Sequence, residues 1–128
     1  MADSEPRAPA AGVPQVIQSY GGGGFRVAGQ RHEGSLILYP RRAEPWPVAA
    51  GSDISLESLK GLLARNNAAA MLLVGCGPRF LAPPKDIAVA VRASGAGLEW
   101  MTTAAACRTW NLLLVDERAV IAALIAVE

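Results

Sequence analysis

The segment LLVGCGPRFLAPPKDI, residues 72–87, decides the fold. An apolar run enters two glycines one residue apart, Gly75 and Gly77, and then passes through prolines into a helical pattern. The run, which extends back through AAMLLVG at 69–75, is continuous rather than alternating. That is the mark of a strand buried on both faces, as in a parallel sheet. Pro84 suits a first helical position, Ile87 and Val91 lie four apart on one face, and Gly95 stands where a helix would be capped.

The same alternation continues to the end of the chain. GLEWM at 97–101 reads as a strand. TTAAACRTWNLLLVDE at 102–117 reads as a helix with threonine caps and an alanine-rich face suited to close packing on a sheet. AVIAALIAV at 119–127 reads as a second doubly buried strand. Strand, helix, strand, helix, strand with short connections predicts right-handed crossovers and a mainly parallel central sheet. Upstream, SLESLKGLLARN at 55–66 sets Leu56, Leu59, Leu62 and Leu63 on one helical face, with Ser55 as the N-cap and Glu57 in the first turn.

The first half has a different grammar. VIQSY at 16–20, FRVAG at 25–29 and GSLILYP at 34–40 are short β-branched and aromatic segments punctuated by glycine, predicting antiparallel strands joined by turns. WPVA at 46–49 is expected as a short edge strand, because Pro45 and Pro47 cannot donate to a ladder. The expected fold class is α/β: a three-layer single domain over 16–128, with a β-α-β-α-β C-terminal half and an N-terminal antiparallel hairpin layer. Residues 1–15, rich in Ala, Pro and charge, are expected to form a flexible tail.

A chain of 128 residues, 52% hydrophobic, can bury a core without metal or disulfide staples. Twelve basic and eleven acidic residues leave a formal charge of +1, with no basic run longer than Arg41-Arg42. A nucleic-acid partner is not expected, since phosphate binding needs a concentrated basic footprint. No apolar run reaches the ~18 residues of a membrane span, and the acidic N-terminus does not read as a secretory or transit signal. Two cysteines without an export signal suggest free thiols and a cytoplasmic location.

IQSYGGGGFRV at 17–27, GSLILYP at 34–40, Trp46, LLVGCGP at 72–78 and LEWMTTAAACRTWNLLLVDERAVIAAL at 98–124 resemble a family of small domains of unknown function. Its human members include an assembly factor of mitochondrial respiratory complex I and an adipogenesis-associated protein. The most specific features are Tyr20 with its glycines and Phe25, the Gly75-x-Gly77 strand exit, and Met101-Thr102 followed by Asn111 and Arg118. Trp110 stands where Tyr or Phe is expected. The resemblance implies a three-layer α/β domain with an extra hairpin layer, a protein partner, and no established catalytic activity.

The glycines at 75 and 77 satisfy no nucleotide motif. Phe80 occupies the place of a third small residue, and no Gly-Lys-Ser or Gly-Lys-Thr follows. A tight strand exit explains them better. The sharper alternative is a small anion held by Cys76, Gly77, Arg79, Thr102 and Thr103, which the topology would bring with Gly75 to one carboxyl edge. Cys76 lacks a Cys-x-x-Cys partner, Cys107 reads as helix packing, and His32, the sole histidine, reads as part of a polar turn. No metal site, catalytic constellation or cofactor is expected. Tyr20, Gly23, Phe25, Asn111 and Arg118 form the expected contact surface. Arg118 is otherwise expected to pair with Asp116 or Glu117, and Asn111 to satisfy carbonyls at the helix end. A non-enzymatic interaction or assembly module is therefore the leading expectation. A small-molecule or anion binder, or a thiol-dependent enzyme, at the carboxyl edge is the alternative.

Overall fold

The computed structural model describes residues 12–64 and 71–128. Three strands, β6 (Met71–Gly75), β7 (Gly97–Met101) and β8 (Val120–Leu124), are separated by α2 (Lys85–Ala93) and α3 (Thr103–Val115). They lie side by side in one direction, with β6 between β8 and β7. β4 (Leu36–Tyr39) adds antiparallel to β8, and β5 (Arg42–Pro45) adds antiparallel to β4, so the five-stranded sheet is mixed with a parallel centre. β1 (Ile17–Gly21), β2 (Gly24–Val27) and β3 (Gln30–Glu33) form a separate antiparallel sheet.

Alternation along the central strands creates two cores. Leu72, Val74, Ile121 and Ala123 turn to the face covered by α1 (Leu56–Ala64) and α2, through Leu59, Leu62, Ile87 and Val91. Leu73, Val120, Ala122 and Leu124 turn to the opposite face, covered by α3 and by Ile17, Phe25 and Val27 of the small sheet. Burial on both faces explains the unbroken apolar runs that mark β6 and β8 in the sequence. The result is three layers, with helices α1 and α2 on one side and α3 plus the small sheet on the other. Among the described residues no helix is long and apolar enough to cross a membrane.

Several expectations need correction. WPVA is not a strand; the edge is β5, immediately before it, and Trp46 is instead buried with its indole N–H donated to the Ser58 carbonyl at 3.1 Å. His32 belongs to strand β3 rather than to a turn. Pro84 is the N-cap of α2, one residue before the first helical position. Residues 12–15, assigned to the tail, are pinned: Gly12 N–H donates to Arg41 O and Gln15 N–H to Pro40 O, and the Gln15 side chain is buried. The rest of that tail, residues 65 and 66 of the first helical run, and positions 69 and 70 of the AAMLLVG run lie outside the described residues.

Ser55 caps α1, its hydroxyl accepting from Ser58 N–H at 3.2 Å, while the Ser58 hydroxyl accepts from Ser55 N–H at 3.0 Å. This reciprocal pair satisfies two otherwise unpaired first-turn donors. The C-terminus of α3 ends differently. Glu117 N–H donates to Leu114 O and Arg118 N–H to Leu113 O, a Schellman closure that puts Glu117 at φ +57°. A glutamate there carries a steric cost that glycine does not. Glu117→Gly is expected to raise unfolding stability by about 0.5–1 kcal/mol. Chemical denaturation measures it, and a stability loss would show that the Glu117 side chain contributes contacts outweighing the strain.

Candidate functional site

The carboxyl ends of β6 and β7 feed α2 and α3, which pack on opposite faces of the sheet. Such a divergence is where ligands enter open α/β sheets. Here protein groups fill it. Cys76 N–H donates to Met101 O at 2.8 Å, Thr103 N–H to Gly77 O at 3.0 Å, and Ile125 N–H to Gly75 O at 2.9 Å. The Thr103 hydroxyl, fully buried, accepts from Gly77 N–H at 3.0 Å and donates to Ile125 O at 2.7 Å. One hydroxyl thus joins the ends of β6, β8 and the start of α3.

The two glycines serve this closure in different ways. A Cβ on Gly75 would lie 3.0 Å from Thr103 Cα and 3.1 Å from Ala106 Cβ, so its absence lets α3 sit directly on β6. Gly77 takes φ +114°, open to glycine without strain. Thr102 is the N-cap of α3 and accepts from Ala105 N–H at 3.4 Å. The structure therefore brings Gly75, Cys76, Gly77, Thr102 and Thr103 together, with the Gly77, Thr103 and Ala105 N–H groups already partnered. Arg79 is exposed on the loop beyond them.

Both thiols are buried. The chain folds around Cys76, whose Sγ accepts from Leu81 N–H at 3.4 Å and donates to Arg79 O at 3.6 Å, while the Trp100 indole N–H fixes the same loop through Leu81 O at 2.6 Å. Burial pushes the Cys107 thiol up to about 12, with Arg108 pulling the other way. Neither is presented as a nucleophile. Burial also lowers the His32 pKa, and His32 lies in strand β3 of the small sheet, opposite Phe25. No group of three or more His, Cys, Asp or Glu able to hold a metal exists among the described residues.

The expected contact residues divide. Tyr20 is 40% exposed and shares a small cleft of about 200 Å³ with Arg108 and Asn111. Gly23 lies in the hairpin tip at φ +83°, donating to Val127 O, whereas Phe25 is fully buried and belongs to the core. Asn111 does not serve the helix end. Its amide donates to Ile17 O at 2.8 Å and its carbonyl accepts from Ile17 N–H at 2.9 Å, closing the free edge of β1. Trp110 is fully buried and donates to Gln15 O at 2.8 Å, a tether that a phenylalanine lacks. Arg118 forms no ion pair with Asp116 or Glu117; it borders a groove of about 410 Å³ with Pro14, Arg41 and Val115. Sequence reading missed Gln15 and the second role of Thr103. The signal for the latter was the paired threonines, of which only one can be the cap.

These features define a small three-layer α/β domain with a mixed sheet and an added antiparallel sheet. Residues 17–125 match the family described as Protein of unknown function (DUF498/DUF598), and the chain belongs to that family. It is 38% identical to an uncharacterized protein of Rhodobacter capsulatus over 94% of this chain and 91% of that one. It is 33% identical to NADH dehydrogenase (ubiquinone) 1 alpha subcomplex assembly factor 3 of Xenopus tropicalis, over 85% of this chain and 60% of that protein. The chain thus spans about three-fifths of the assembly factor's length. In structure it is similar to a crystallised Bartonella henselae protein described as an outer membrane protein, at 33% identity and TM-score 0.85, over 92% of this chain and 99% of that one.

Thr103→Val keeps the shape of the side chain and removes the hydroxyl, leaving Gly77 N–H and Ile125 C=O unpaired in a buried place. The expected loss is about 2–4 kcal/mol of unfolding stability, read by thermal or chemical denaturation. Thr103→Ser should recover most of it. A Val variant as stable as the parent would contradict the bridging role.

Proposed function

We propose that this chain is a non-enzymatic protein-interaction module that helps a multi-subunit complex assemble. The observation that carries the reading is its likeness, over 85% of its residues, to a protein named as an assembly factor of NADH dehydrogenase. The site geometry supports it. The crevice expected of a ligand-binding α/β sheet is occupied by the protein's own hydrogen bonds, and the thiols are buried. Exposed apolar side chains include Tyr20, Leu112 and Val115, with Tyr20 sharing a cleft with Arg108 and Asn111 of α3, and Phe80, Leu81 and Val89 elsewhere on the surface. Contiguous exposed apolar surface marks contact with other macromolecules.

The NADH dehydrogenase itself is the first complex to examine, because relatives carry its name. Removing the gene from the source cell should lower the amount of mature enzyme on blue-native gels and leave partial assemblies, with recovery on reintroducing the gene. Full-sized, normally abundant NADH dehydrogenase in the deletion strain would contradict that assignment. Recovery by a form whose buried Cys76 is changed to Ser would further support a role without thiol chemistry; failure of a folded Cys76→Ser form to restore assembly would count against it.

A further inference from the structure

The outward face of α3 has a pattern that its own fold leaves unused. Arg108, Leu112 and Val115 are the exposed positions of its last two turns and Asp116 is its exposed C-cap, with Leu112 at 70% and Val115 at 78% relative exposure. Leu112 and Val115 follow Arg108 by four and seven residues, the spacing of a helix-pairing seam rather than of a solvated face. Leu112 and Val115 lie three residues apart, so their exposed apolar surfaces adjoin on one helix face, and Tyr20 shares a cleft with Arg108 at its edge. Arg108 forms no ion pair among the described residues.

We propose that this face is a homodimer interface in which α3 packs antiparallel against α3 of a second copy, about a two-fold axis through Leu112. The charge arrangement selects that occupant. Arg108 lies four residues before Leu112 and Asp116 four residues after it. A two-fold axis at Leu112 therefore sets each Arg108 opposite Asp116 of the second copy, and Leu112 meets its own equivalent at the centre. An isologous contact must be self-complementary in this way, and the seam is: apolar at the axis, opposite charges at equal distances on either side. A partner of unrelated sequence has no need of that symmetry. The seam from Arg108 to Asp116 is only about 12 Å long, so the association is weak, with Kd on the order of 10–100 μM.

The isolated protein tests this without any assembly assay, so its outcome is separate from the function proposed above. Sedimentation velocity from roughly 10 μM to 1 mM should show a monomer–dimer equilibrium. Leu112→Glu, which puts two carboxylates at the axis, should weaken it about tenfold or more. Arg108→Asp and Asp116→Arg should each weaken it, and the double variant Arg108→Asp/Asp116→Arg should restore it. All three positions are exposed, and circular dichroism checks that each variant keeps its fold. A protein that stays monomeric across the range overturns the proposal, as does a dimer that Leu112→Glu leaves intact. Loss in both single charge variants without recovery in the double overturns the antiparallel pairing.

Discussion

The hydroxyl of Thr103 joins three parts of the chain at the carboxyl rim of the sheet. It accepts a hydrogen bond from the backbone leaving β6 and donates one to the backbone leaving β8, from the first turn of the helix that leaves β7. A hydroxyl with both its donor and one acceptor site engaged is worth far more buried than a single hydrogen bond, because either partner left alone would bear its full desolvation cost. The glycines at 75 and 77 are the conditions for this contact. The first removes the side chain that would hold α3 off the sheet, and the second turns the chain so its N–H reaches the hydroxyl.

The closure also decides where function can reside. An open α/β sheet offers its ligands a cleft between diverging loops, and this chain spends that cleft on its own stability. Asn111 pairs with both backbone groups of Ile17 on the free side of β1, so that position of the small sheet cannot take up another strand.

Much of this order was legible in the residues. The buried strands and the alternating helices announced themselves because doubly buried strands admit few polar residues, leaving the runs at 72–75 and 120–124 unbroken. β5 escaped for the opposite reason. RAEP is polar and ends in proline, as an edge strand does to discourage further pairing, and that composition is also the composition of a loop. β3, with Arg31, His32 and Glu33, was hidden in the same way. The role of Gln15 and the true partner of Asn111 were missed because the bonded residues lie 95 and 94 positions away, beyond the reach of any local pattern. Topology brings Gly75–Gly77 and Thr102–Thr103 to one carboxyl rim, but its closure rests on backbone bonds and the Thr103 hydroxyl, which no local sequence pattern shows.

Native-state hydrogen exchange of the Gly77, Thr103 and Ile125 amides tests the closed rim most directly. The expected result is that all three exchange only through global unfolding, with the same free energy as the central amides of β6. Exchange of the Gly77 and Thr103 amides through a low-energy local opening, while the β6 amides stay protected, would show an accessible crevice and contradict the closure.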